Sequence, residues 1–461
     1  MRQLTKLYTN YTALICICLL SSCSSEPGEN SNRGIPDFPV KEISPNGDEA
    51  YLTGESSYIF DQNLLHSFYL EIPNNNWTKL NNDPAAEEYV EGTFIFEGDT
   101  ISPVGIRYKG SIGAFAGCVS GEDWTRPSGY KTCTKLSMKI KINWQGREDH
   151  FYGLKKVQLH AMNQDPSQMR ERLGYALFNE MGVSAPRCTH AKLYVNGDYV
   201  GVFALVEQID GRFSRHHFEN GKGNIYKEIW PVDDKGHAYN RNYYIHGLKT
   251  NEDEANVDLI RSFGVDLALA PVEDWKGILE KYMDIRESLA YWVVDRSIRH
   301  DDGPAHYYCQ NQQCSNHNYY WYEDPVRKKF HLVPWDLDNA FENIIFNANP
   351  VTPVADGWGE ISNQCQPFRH GSFNIFQKSA ACDRIIGTLA TYDDQYAALK
   401  QEFLDGPFSE ERTNQFLDTW SAQIREASLE AEALYEDAVS ISRWESSIQT
   451  LKSQLQHART H

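Results

Sequence analysis

The chain predicts an α+β fold, and three observations predict it. Strand-like runs crowd the stretch from about residue 59 to residue 206, helical spacing dominates after residue 275, and one helix-like segment near residue 170 interrupts the strands. With 461 residues, 41% of them apolar and 23% charged, the chain is long enough for two ordinary domains or one large bilobal one, with a sizeable core.

The first stretch is a leader rather than structure. Arg2 and Lys6 precede a short apolar core at residues 13–20, too short to span a bilayer. Leu20-Ser21-Ser22-Cys23 then matches a bacterial lipobox, which predicts cleavage after residue 22 and lipidation of Cys23. Residues 23–50 are rich in Ser, Gly, Asn and Pro and read as a flexible tether. No later stretch is apolar enough to span a bilayer, so the membrane is expected to be met only through the lipid, outside the cytoplasm. Ser24 and Ser25 place no Asp after the lipidated cysteine, which favours the outer membrane or cell surface in a Gram-negative host. The formal charge of −19 disfavours nonspecific binding to nucleic acid.

Residues 51–210 carry the strand signals. SFYLEI at 67–72, GTFIF at 92–96 and VGIRYKGS at 104–111 have strand composition. KLSMKIKI at 135–142 puts apolar residues at even positions and Lys135, Lys139 and Lys141 at odd ones, a strand with one buried and one cationic face. A helix is expected from the Asp165 cap, with Pro166 in its first turn and Gln168 completing a capping box. Met169, Leu173, Leu177 and Met181 line one face, and Gly182 stops it. The run LYVNGDYVGVFALV at 193–206 is a hairpin around Asn196-Gly197. Residues 211–461 are expected to be largely helical, with an amphipathic helix over 275–300 and several helices over 384–457.

Seven cysteines remain beyond the leader and Cys23. Near-neighbour pairs suggest disulfides Cys118–Cys133, Cys309–Cys314 and Cys365–Cys382, leaving Cys188 as a buried thiol. A zinc site at Cys309–Cys314 is the competing reading.

The densest chemistry lies between residues 300 and 341. His300-Asp301-Asp302-Gly303 is followed by Asn318 ahead of YYWY, and by Asp336 and Asp338 after a strand ending in Pro334-Trp335. An acid, an amide and an acid at a strand end suit phosphoryl transfer: one acid orients a hydroxyl, while amide and acid hold a divalent ion on the phosphates. On a continuing strand Asp336 and Asp338 would share a face. Turn formation by Asp301–Pro304 and capping by the later pair are the plainer alternatives. A lysine from 135, 139 or 141 would reach phosphates from the strand.

These residues resemble the spore coat protein H (CotH) family of atypical secreted kinases. VGIRYKGS, KLSMKIK, DPS at 165–167 with Met169-Arg170, MGVSAP at 181–186, the hairpin through Asp210, NIYK at 224–227 and the three acid–amide–acid pieces occur in family order over roughly residues 60–430. His300 stands where the family commonly has Asn. The resemblance implies a protein-kinase-like bilobal fold, with a β-rich N-lobe carrying one main helix and a largely helical C-lobe. It implies Asp302 as the catalytic acid, Asn318 and Asp336 as metal ligands supported by Asp338, and Lys139 as the phosphate lysine, with Lys135 and Lys141 competing. Arg107, Glu207 and Lys227 would line the nucleotide cleft, and Arg170 or Glu171 would partner the lysine. ATP with Mg²⁺ or Mn²⁺ would be the cofactors, and Ser or Thr of an exported protein the acceptor. A catalytically silent surface module is the rival reading, and a transferase moving AMP or another group a third.

Overall fold

The computed structural model describes residues 53–345 and 364–460, apart from residues 112, 124, 148, 149, 312, 372 and 373. The expected leader over 1–22, the lipidation site Cys23 and the tether over 23–50 lie outside the described residues. The observed fold is α+β.

Alternating apolar residues build the first half. Helix α1 (Thr53–Ile59) leads to β1 (His66–Glu71), α2 (Asn74–Asn82), β2 (Val90–Phe96), β3 (Asp99–Tyr108), β4 (Met138–Lys141) and β5 (Lys156–His160). Helix α3 (Arg170–Glu180) precedes β6 (Cys188–Val195) and β7 (Asp198–Val206). The strands close into a barrel in the order β1-β2-β3-β4-β5-β7-β6. Parallel pairing of β1 with β6 completes the ring. Val104, Ile106 and Tyr108 of β3 and Met138 and Ile140 of β4 fill the barrel with Phe68, Phe94, Val157 and Leu159. Strand alternation turns the residues between them outward, and the register sets Arg107, Lys139 and Gln158 side by side. Asn196 and Gly197, at φ 52° and 91°, make the tight β6–β7 turn.

Two local expectations give way to side-chain hydrogen bonds. Gln168 has φ 60°, which breaks helical geometry, so α3 starts at Arg170 and not at a capping box after Asp165. Asp165 still caps it from a distance, its Oδ2 accepting from the Arg170 N–H at 2.9 Å. Strand β4 is shorter than the alternation predicts, because Lys135 turns away to donate to the Val202 carbonyl at 2.7 Å.

The second half has its own apolar core. Its elements begin with α4 (Gly211–His217), β8 (Asn224–Lys227), α5 (Arg241–His246), α6 (Asp258–Leu269), α7 (Trp275–Tyr282) and α8 (Ile285–Ser297). The stretch expected as one amphipathic helix is thus two. Asp284 starts the second by accepting from the Glu287 N–H at 3.0 Å. Residues 288–296 of α8 are buried on every side, so α8 is a central core helix.

Strands β9 (Tyr307–Gln310), β10 (Gln313–Ser315), β11 (Tyr319–Asp324) and β12 (Lys329–Pro334) follow, then β13 (Phe368–His370) and β14 (Ile375–Lys378). The expected hairpin β11–β12 gains β8 as a third strand. The sheet β10-β9-β14-β13 was not foreseen, since its strands are three or four residues long and lie among turn residues. All three expected disulfides are present and Cys188 is a buried free thiol. The Cys309–Cys314 bond also removes the zinc alternative there.

Helices α9 (Arg384–Leu389), α10 (Asp393–Asp405), α11 (Glu410–Leu434) and α12 (Ile441–Thr460) end the chain. The last two brace the barrel: Tyr199 donates to the Ala427 carbonyl at 2.8 Å, and the Trp444 indole to the Ser167 carbonyl at 3.0 Å, beside α3. No helix among the described residues is long and apolar enough to cross a membrane.

Glu323 on β11 yields a pH prediction. It is buried and, among the described residues, its hydrogen-bond donors are neutral: the Tyr226 hydroxyl at 2.7 Å and the Asn224 amide at 3.4 Å. Burial pushes its carboxyl up to about 7. A folded pKa above the unfolded one stabilises the protonated state. That contribution is complete below about pH 4 and is lost as pH rises through about 7. Glu323→Gln is expected to melt higher than the parent at about pH 8.5 and close to it at about pH 4. Parallel Tm-against-pH curves for the two proteins would contradict this.

Candidate active site

Backbone hydrogen bonds stitch the three motif segments into one site. Strand β12 ends at Pro334, and Asp336 takes left-handed φ 60°, ψ 64° before a single turn over Leu337–Asn339. Asp336 and Asp338 therefore sit on a turn, not on the continuing strand that their spacing suggested. The Trp335 N–H donates to the Asn318 carbonyl at 3.2 Å. The Asp336 N–H donates to the Tyr175 hydroxyl oxygen at 3.1 Å, and its carbonyl accepts from His300 Nε2 at 3.0 Å. Arg170 donates to the Asp338 carbonyl at 3.0 Å. Gly174 of α3 lets this turn approach closely, since a Cβ there would lie 2.7 Å from Leu337 Cδ1.

Asp302 and Asn318 meet directly. The Asn318 amide donates to Asp302 Oδ2 at 2.8 Å and to the Asp302 carbonyl at 2.9 Å. Asp302 Oδ1 accepts from the Tyr308 hydroxyl at 2.9 Å and pairs with His317 Nε2 at 2.7 Å. Burial alone would push this carboxyl up. The bonds and charge of His317, the Tyr308 bond and the charge of His300 outweigh it and hold the group below its ordinary value. The ionised form, the one that accepts a hydroxyl proton, is thereby favoured.

His300 is fully buried, with Nδ1 3.2 Å from the Asp295 carboxylate. Burial opposes its charge, but Asp295 and Asp302 raise its pKa. Neither His317 nor Tyr308 was singled out from sequence. His317 stands directly before Asn318, so adjacency was the available signal. Tyr308 is brought in by the β9 hairpin and left no such mark.

The cation facing the acids is a residue that strand alternation could have flagged. Lys109, just after β3, points outward like Arg107, two residues before it. Its Nζ lies 2.6 Å from His160 Nε2 and 5.5 Å from the centre of the Trp335 ring. Burial pulls its ammonium down, while Asp336, Glu171 and Glu87 oppose the fall. Lys139 is one strand further from the acids. Burial, helped by Lys109, Arg107 and Lys156, lowers it to about 7, and it makes no hydrogen bond or ion pair among the described residues. Lys135 is spent on Val202, and Lys141 sits over Trp144, 5.8 Å from its ring centre.

The remaining predicted cleft residues divide. Lys227 lies 3.7 Å from Glu228, whose carboxylate accepts from the Asn318 N–H at 3.2 Å, so both border the site. Arg107 is paired with Glu87 at 2.7 Å. Glu207 is buried, with Oε1 accepting from Arg187 at 2.6 Å and Oε2 pairing with His217 at 2.9 Å. Between the two helix candidates, Glu171 points to the lysine side through His160, whereas Arg170 holds the Asp338 turn.

The acidic pair has the donor set of a cation site. Neither the Asp336 nor the Asp338 carboxylate receives a hydrogen bond from a described residue. Burial raises both pKa values. Glu171 and Asp302 add to this at each, and the two acids repel one another, which raises Asp338 further. A divalent ion relieves such repulsion. Among the described residues no three His, Cys, Asp or Glu side chains could hold a metal alone. Two cavities, of about 310 and 620 Å³, lie along the barrel strands and not at this cluster.

The family pattern described as CotH kinase protein matches residues 106–460, most of the chain and all of this site. The chain belongs to the CotH kinase protein family. It is 23% identical to the inner spore coat protein H of Bacillus subtilis (strain 168) over 202 residues, which cover 41% of this chain and 50% of that protein. It is 25% identical to the invasin CotH2 of Rhizopus delemar over 301 residues, 62% of this chain and 46% of that one. A B. subtilis inner spore coat protein H-like protein is 36% identical over 67 residues, 14% and 21% of the two chains. The chain thus spans about half the length of the first two relatives. The CotH match takes in Lys109 and His160 as well as the motif acids, which the site geometry joins.

Gly174 tests how tightly α3 holds the acidic turn. Gly174→Ala is expected to cost about 1–3 kcal/mol, read as a lowered midpoint in urea, because Leu337 must shift. An unchanged midpoint would show that the turn yields freely.

Proposed function

We propose that this CotH family member is an exported protein kinase that transfers the γ-phosphoryl group of ATP to Ser or Thr of an extracytoplasmic protein. The observation that carries the reading is the chain of hydrogen bonds that gathers Asp302, Asn318 and Asp336 opposite the half-buried Lys109: the Asn318 amide donates to Asp302, the Trp335 N–H beside Asp336 donates to the Asn318 carbonyl, and His300, two residues before Asp302, holds the Asp336 carbonyl. On this reading the barrel half and the helical half act as two lobes with ATP between them. Asp302 orients the acceptor hydroxyl and takes its proton as the oxygen attacks the γ-phosphorus and ADP departs. Asp336, Asp338 and the Asn318 oxygen would hold Mg²⁺ or Mn²⁺, which neutralises charge on the phosphates when bound. Lys109 is the first choice for the phosphate contact, with Lys139 deeper under the same face and Lys227 at the border.

Export is supported by the three disulfides, which belong to oxidising compartments. Lipidation at Cys23 would tether the enzyme to the cell envelope. The proposed partners are a nucleotide and an exported acceptor protein.

The test is incubation of the purified protein with γ-labelled ATP, Mg²⁺ or Mn²⁺ and a generic acceptor such as casein. Label is expected from the parent and is expected to fall about 10²-fold or more in Asp302→Ala and Asp336→Ala. Lys109→Ala is expected to lose more activity than Lys139→Ala. No label and no nucleotide-dependent thermal shift would contradict the kinase reading and favour a surface interaction module. A label from α-labelled ATP instead would point to nucleotidyl transfer.

A further inference from the structure

We propose that His160 is a positioning residue that couples Lys109 to helix α3. The idea deepens the kinase reading, which gives the coupling its purpose, but the geometry stands without it. Lys109 forms no ion pair with a carboxylate among the described residues. Its hydrogen bond is to His160 Nε2, at 2.6 Å. On the other side of the ring, Nδ1 lies 2.9 Å from each oxygen of Glu171 in the first turn of α3. The His160 and Glu171 side chains are 8% and 3% exposed, so water does not replace these bonds. The edge of Trp335 flanks the imidazole, the ring centres 5.8 Å apart at 89°.

The tautomer follows from the partners. An ammonium only donates, so Nε2 accepts; a carboxylate only accepts, so Nδ1 carries the hydrogen. Lysine, imidazole and carboxylate then form a directed chain of hydrogen bonds from β3 through β5 to α3. A direct lysine–carboxylate pair would survive small sliding of the helix, because a point charge has no preferred direction. A ring bonded at both nitrogens has one orientation. Movement of α3 that withdraws Glu171 frees the ring to turn, and Lys109 loses its acceptor. The position of α3 thereby sets where the phosphate-side lysine points. The Trp444–Ser167 contact, just before α3, ties the C-terminal helices to the same device.

The test reads Lys109 itself in nucleotide-free protein. Parent, His160→Leu, His160→Gln and Glu171→Gln are treated briefly with an amine-reactive reagent, and labelling of each lysine is quantified by peptide mass spectrometry. Lys139 and Lys227 serve as internal references. Release of one ordinary hydrogen bond corresponds to roughly a three- to tenfold change in the freed fraction. Lys109 labelling is therefore expected to rise roughly three- to tenfold in His160→Leu. A smaller rise is expected in Glu171→Gln, and little change in His160→Gln, whose amide oxygen can still accept. The references should stay constant.

Unchanged Lys109 labelling in a folded His160→Leu protein would overturn the proposal. Should that variant not fold, the isosteric Glu171→Gln decides on the same readout. Because no nucleotide is present, a rise in labelling upholds the coupling even if the parent fails every ATP assay. ATP binding with no change in labelling refutes the coupling and leaves the kinase reading intact.

Discussion

The site depends on one buried imidazole. His300 closes α8 by pairing with Asp295 and reaches across to the carbonyl of Asp336, so one side chain fixes the distance between the acid loop and the acidic turn. Asp302, two residues on, inherits its place from that anchor. Asn318 is then held from both sides, its amide on Asp302 and its carbonyl on Trp335. Burial makes the His300 bonds directional and costly to break, since the imidazole and the Asp295 carboxylate would find no water. A barrel and a helical core, each with its own apolar interior, thus present a small rigid constellation on loops.

The order of strengths within the site follows from its charges. Asp302 stays ionised because donors crowd it. Asp336 and Asp338 resist ionisation because they are buried and repelled by Glu171 and Asp302, which Lys109 and His160 at Asp336 and Arg170 at Asp338 only partly offset. Carboxylates of one cluster are thus pushed in opposite directions, which the proposed kinase reading would use for a proton acceptor and a cation site. Lys109 faces the second group from the barrel and takes its bearing from α3 through His160. The family match over residues 106–460 takes in all of these residues.

Much of this was legible in the chain, and the reasons for the gaps are physical. That Asp302, Asn318 and Asp336 cluster was legible because each lies in a short motif bounded by turn residues or a strand. The disulfides were readable because each pair closes a short loop. Lys109 follows Ile106 and Tyr108 at the alternation that turns it out of the barrel, as Lys139 is on β4, so pattern alone does not rank the two. What marks Lys109 out is its neighbourhood, with His160 and Trp335 arriving from remote strands. The partners of Glu207, Arg187 and His217, come from elements that no local pattern links, so its ion pairs could not be read from sequence. The start of α3 misled for a related reason: Asp165 does cap the helix, but across a left-handed Gln168 that pattern alone does not reveal. The break at Met283–Asp284 has no apolar gap to mark it: α7 buries Leu279 and Tyr282, and the buried run of α8 follows directly.

The central claim is that the joined acids and amide hold a metal–nucleotide complex facing Lys109. The most direct measurement is a crystal structure of the protein with Mn²⁺ and a non-hydrolysable ATP analogue, using the anomalous signal of the metal. The account predicts a manganese peak bound by Asp336 with the Asn318 oxygen or Asp338, and phosphate density between it and the Lys109 ammonium. A nucleotide bound elsewhere, or a manganese peak away from Asp336 with the analogue present, would contradict it.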